Sequence, residues 1–185
     1  MDTGTARTEP IDPAGALPFG LDERHARPPR TAWLRNLGVA VFIGLPIAAA
    51  LAGLLGGGAP RVTTAATPAA LMSVTAPAVL RSGNWFETEV IVTPAAPVDD
   101  LTIRIDKTLW HRLSIDTMVP DAESAEALDG RYIYHFGKVE ARQRFTLKLD
   151  GQIQPAGLRR LTGAFEAADG ERPLVRVPIR IMVLP

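Results

Sequence analysis

From Leu71 to the C terminus, apolar and polar residues alternate with a period of two. The clearest run comes last: Val175, Val177, Ile179, Ile181 and Val183 fall on one face, with Arg176, Pro178 and Arg180 on the other. Successive side chains of a strand point to opposite sides, so this run predicts a half-buried strand. Pro178 has no N–H to give to a ladder, which places this strand at a sheet edge or a bulge. Before it, Leu161, Gly163, Phe165 and Ala167 alternate, and Asp169-Gly170 supplies a turn, giving a C-terminal hairpin.

The same period recurs upstream. Phe145, Leu147 and Leu149 alternate with Thr146, Lys148 and Asp150; Tyr132, Tyr134 and Phe136 with Ile133 and His135; Leu101, Ile103 and Ile105 with Thr102, Arg104 and Asp106. Phe86, Thr88, Val90 and Val92 form a further set, and shorter runs lie near Met72–Leu80 and Leu113–Ile115. Turn residues separate them at Ser82-Gly83-Asn84, Pro94–Pro97, Asp129-Gly130 and Pro155-Ala156-Gly157. Pro120–Leu128 alone has helical or loop character. Seven or eight short strands over residues 71–185 without a long helix predict an immunoglobulin-like antiparallel β-sandwich, with a jelly roll as the alternative.

A different pattern precedes this domain. Between Arg35 and Arg61 there is no charged residue, and residues 37–57 read LGVAVFIGLPIAAALAGLLGG. At about 1.5 Å per residue, about 20 residues cross a hydrocarbon layer of about 30 Å. A soluble helix would need a polar face, and this stretch has none, so a transmembrane helix is expected. Arg24, Arg27, Arg30 and Arg35 flank it on one side and Arg61 on the other. Basic residues resist translocation, which leaves the N terminus in the cytoplasm and everything after Gly58 outside. A cleaved signal peptide is the competing reading, since Ala48-Ala49-Ala50 fits a cleavage pattern. The long leader, and the apolar Leu/Gly run that cleavage would expose, favour an uncleaved anchor.

Within the span, Gly44, Ala48, Ala52 and Gly56 recur every four residues, with Ala49, Gly53 and Gly57 beside them. Small residues at this spacing let helix backbones approach closely, a packing face for another membrane protein or a second copy. Pro46 is expected to loosen the helix locally. Residues 1–36 hold five prolines and scattered charge without apolar periodicity, predicting a disordered cytoplasmic tail. Residues 58–70 (GAPRVTTAATPAA) read as a linker.

Charge and chemistry narrow the function. Twenty basic residues balance twenty acidic ones, which argues against a nucleic-acid partner. The absence of cysteine removes disulfides, thiolate metal sites and thiol catalysis. His25, His111 and His135 show no ligand spacing. Asp99, Asp100 and Asp106 lack the pattern of a calcium loop and read as turn chemistry. No GxSxG elbow or phosphate loop is present. No cofactor, metal or enzymatic activity is therefore expected. Trp110 and His111 follow a strand outside the alternation, so Trp110 either fills the core or, with His111, anchors an interface.

One segment carries a resemblance. Tyr132–Val139 (YIYHFGKV), then Phe145–Leu149, then Pro155-Ala156-Gly157 and the closing hairpin resemble bacterial extracytoplasmic immunoglobulin-like domains of the adhesion-related, CARDB-like kind. The resemblance covers about residues 85–185, and Glu140–Gln143 departs from the Pro-Gly often found in that place. It implies the fold and a position outside the membrane, and brings no catalytic residues. The expected molecule is a single-pass protein of a bacterial inner membrane with a periplasmic or extracellular domain. It would act as an accessory or scaffolding subunit for a membrane partner. The alternative is a stand-alone module binding cell-wall glycan, metal or another ligand.

Overall fold

A computed structural model describes residues 31–154 and 157–185. The chain forms two compact units, divided at Pro46. The tail expected over residues 1–36 lies mostly outside the described residues.

Helix α1 runs from Ala32 to Leu51, with Pro46 inside it and no buried residue. It starts and ends earlier than the expected 37–57 span. Its end is a Schellman cap: the Leu54 N–H donates to the Ala49 carbonyl and the Gly53 N–H to the Ala50 carbonyl, both at 2.9 Å. Gly53 supports this with φ of 73°, a conformation that a Cβ disfavours. Gly56 and Gly57 follow with φ of 94° and 77°. The row of small residues is thus cut. Gly44 and Ala48 share a helix face, whereas Ala52, Gly53, Gly56 and Gly57 lie beyond the helix in turns.

The remainder is mostly strand, and two sheets make a sandwich. One sheet has the order β1-β2-β4-β9-β6 and the other β3-β11-β10-β5-β8-β7. The first comprises β1 (Arg61–Ala66), β2 (Ala70–Ala76), β4 (Trp85–Pro94), β9 (Phe145–Ile153) and β6 (Leu113–Val119). The second comprises β3 (Val79–Arg81), β11 (Arg172–Leu184), β10 (Arg159–Asp169), β5 (Leu101–Asp106), β8 (Arg131–His135) and β7 (Ser124–Leu128). A single helical turn, α2 (Lys107–Trp110), joins β5 to β6 across the sheets.

The period-two residues form the core. Met72, Val74, Val90, Val92, Leu101, Ile103, Ile105, Leu147, Leu149 and Val177 are fully buried between the sheets. Pro178 fits the edge expected of it: β3 pairs with β11 only over Met182–Leu184, leaving the stretch around Pro178 bonded to β10 alone.

Three expectations change. Residues 61–66, read as linker, form β1 and pair with β2 from Arg61↔Ala76 to Ala66↔Leu71. Residues 124–128, read as helical or loop, form β7 against β8. The run Met72–Leu80 breaks into β2 and β3 around Pro77. Eleven strands among the described residues result, where seven or eight were expected.

Candidate functional site

β10 departs from simple alternation, because Ala164 through Ala168 are all buried on both of its faces. At its centre Glu166 pairs in register with Arg104 of β5 on one side and Arg176 of β11 on the other. Strand pairing therefore sets three charged side chains in a row across the outer face of the six-stranded sheet.

Glu166 is 7% exposed and takes three guanidinium groups. Arg104 Nη1 donates to Oε1 at 3.2 Å, Arg131 Nη1 to the same oxygen at 3.1 Å, and Arg176 Nη1 to Oε2 at 3.4 Å. Asp106 closes the lattice, with Arg176 Nη2 at 2.7 Å and Arg131 Nε at 3.6 Å. Arg104 Nη2 also donates to the Gly170 carbonyl at 2.8 Å. Three positive and two negative groups leave this lattice with an excess positive charge. A carboxylate this far from water is tolerable only with such partners.

Two members of this lattice, Arg104 and Arg131, line an open concavity of about 640 Å³ over β5, β8 and β7. Glu126, Asp129, Glu171 and His135 line it as well. His135 Nδ1 lies 2.7 Å from Asp100 Oδ2, and its Nε2 lies 3.8 Å from Glu126 Oε1. A concavity lined by both arginines and carboxylates can hold a polar or charged ligand, or a complementary protein surface, through hydrogen bonds.

Trp110, named above as a candidate interface residue, is placed in the core. It is 4% exposed and meets Phe165 edge-on, ring centroids 5.8 Å apart. The α2 turn carries it inward, so it offers no face to a partner. Its indole hydrogen-bonds Tyr134, whose hydroxyl is raised in pKa chiefly by burial, with Trp110 opposing and Tyr132 adding to the rise. His111 is exposed, its Nδ1 3.0 Å from the Lys107 carbonyl. The three aspartates separate. Asp106 faces the arginines and Asp100 faces His135, while the backbone N–H groups of Asp99 and Asp100 donate to Asp169 Oδ1 at 3.0 and 3.2 Å. Among the described residues no three His, Asp or Glu side chains are placed to share an ion.

The charged lattice is not visible in the sequence. Its bonded partners lie 10 to 70 positions apart, and only strand register assembles them. The one local hint is an acidic residue inside the Ala-rich run AFEAAD.

No family model matches the chain, and no curated protein matches it. The following solved structures are similar at low identity. A CARDB domain from Pyrococcus furiosus, solved in complex with di-metal ions, is 13% identical; it covers 68% of this chain and 94% of its own, with a TM-score of 0.38. A Niemann-Pick type C2 protein from the Japanese carpenter ant is 8% identical over 69% of this chain and 96% of its own, with a TM-score of 0.35. The alkylpurine DNA glycosylase AlkC of Pseudomonas fluorescens, bound to DNA containing an abasic-site analogue, is 14% identical over 90% of this chain and 40% of its own, with a TM-score of 0.36. Likeness at this level assigns no activity.

Proposed function

We propose that this chain is a single-pass bacterial membrane protein that holds a non-catalytic β-sandwich outside the membrane as an accessory subunit of a membrane-protein partner. One observation carries the reading: α1 is an apolar helix of 20 residues, none of them buried among the described residues. Phe42 is 81% exposed and Leu51 85%. Each such side chain gains about 1.5 to 3 kcal/mol on leaving water, so lipid or another apolar surface must cover this helix. The arginines before it, against Arg61 after it, favour an N-terminus in the cytoplasm.

In this reading α1 anchors, and the concavity lined by Arg104 and Arg131 meets the partner. Gly44 and Ala48 remain as a small-residue face within the helix. The test is gentle detergent extraction of the native protein, followed by sizing and identification of what stays bound. A stoichiometric membrane partner, lost in a Gly44→Leu/Ala48→Leu variant or a Glu126→Lys/Glu171→Lys variant, supports the proposal. A monomer or homodimer that persists through dilution contradicts it. That result favours the stand-alone binding module, for which the open concavity supplies the room.

A further inference from the structure

The end of the sandwich at which β1 begins is built from several separate stretches of chain. Arg61 lies opposite Ala76, Trp85 opposite Gln152, Leu113 opposite Ile153, and Arg159 opposite Val183. The turn after β3 ties the two sheets together there. The Ser82 N–H donates to the Leu184 carbonyl at 2.8 Å, and the Gly83 N–H to the Ile153 carbonyl at 3.2 Å. The Gln154 N–H bonds the Arg112 carbonyl at 3.0 Å, bringing Arg112 to the same end.

Residues 58–64, 73–86, 107–115, 151–154, 157–162 and 178–185 contribute to this pole and contain no Asp or Glu; the next carboxylates inward are Glu87 opposite Asp150, two residues from Trp85 and Gln152, and Asp116 in the β6 bulge. They do contain Arg61, Arg81, Arg112, Arg159, Arg160 and Arg180. All but Arg112 are exposed, and among the described residues none of the six forms an ion pair. Two large apolar side chains stand among them, Trp85 at 67% exposure and Leu158 at 70%. In a chain of zero net charge, such a pole must be balanced elsewhere. The balance lies at the other end and on the sheet faces, where Asp99, Asp100, Asp121, Glu123, Glu140 and Glu171 sit.

We infer that this arginine pole docks on the anionic phospholipid head groups of the membrane that α1 enters, with Trp85 and Leu158 seated at the interface. The inference rests on the membrane reading of α1. Charge complementarity identifies the occupant: arginines without an ion-pair partner among the described residues match a surface of phosphates, and each basic group near such a surface adds to the attraction. Tryptophan is the residue that favours the head-group level, its ring apolar and its N–H polar. The tether permits the contact, because residues 52–60 between α1 and β1 reach at most about 30 Å.

The absence of cysteine makes the test direct, since Leu158→Cys gives one labelling site in the full chain. The nitroxide-labelled chain is reconstituted into phosphatidylcholine vesicles with and without phosphatidylglycerol, and collisions with a water-soluble nickel chelate are measured. Retention of the chain in the vesicles after alkaline carbonate is scored separately. Docking predicts that the label loses access to the chelate several-fold when phosphatidylglycerol is present. Access returns in an Arg159→Glu/Arg160→Glu variant, or when salt is raised to about 1 M and the screening length falls to about 3 Å. A label at Glu140→Cys stays accessible throughout. A retained chain with equal access in both vesicles overturns the docking and leaves the anchor standing. A chain that carbonate removes overturns both. Protection in native membranes with free access in phosphatidylglycerol vesicles assigns the pole to a protein and overturns the lipid occupant.

Discussion

Tyr134 and Trp110 show how single polar atoms are handled in this core. Burial raises the Tyr134 hydroxyl above its ordinary 10.0, outweighing the hydrogen bond from Trp110 that lowers it. A folded-state pKa above the unfolded one means that the folded protein holds this proton longer. Its contribution to stability is therefore complete below pH 10 and is lost as pH rises through the folded value. Tyr134→Phe should cost about 1 kcal/mol at neutral pH, where the indole N–H loses its acceptor. Above pH 10 the gap between variant and parent should narrow, as chemical denaturation across that range will measure. Gly151 is constrained by space: a Cβ there would run into the Ser114 carbonyl, where β6 bulges between Ile115 and Thr117. Gly151→Val should destabilise the domain by about 3 kcal/mol, read from the denaturation midpoint.

Between elements, register decides what is strong and what is incidental. Glu166 is enclosed by three arginines, so Glu166→Ala leaves guanidinium groups without their anion and should cost about 3 kcal/mol. Arg176 is 46% exposed, and Arg176→Ala should cost less than about 1 kcal/mol. If thermal unfolding found the two variants equal, Glu166 would not be the centre of the lattice. The strands that alternation revealed are those with one face buried between sheets, such as β4, β5, β9 and β11. β7 escaped because every residue of Ser124–Leu128 is exposed, which leaves no apolar face to repeat, while Ala, Glu and Leu favour helix. Pairing through the Asp129-Gly130 turn overrides that preference. β1 escaped for a related reason: its half-buried positions are Thr63 and Ala65, too small to mark a period. The early end of α1 was legible only in retrospect, since Gly53 reads equally as a small packing residue and as a C-terminal cap.

At the scale of the whole molecule, an uncovered apolar helix, a charged concavity and an arginine pole lie along one chain. Composition averages them away: the net charge is zero, and nothing in the totals separates the two ends of the sandwich. The proposed function requires the helix to cross a membrane with the sandwich outside. Protease added to intact spheroplasts expressing the full chain, with epitopes at both termini, tests this most directly. That topology predicts loss of the C-terminal epitope, survival of a short N-terminal fragment including α1, and retention of that fragment in the membrane after alkaline carbonate. Protection of the C-terminal epitope in intact spheroplasts, or release of the whole chain by carbonate, would contradict it.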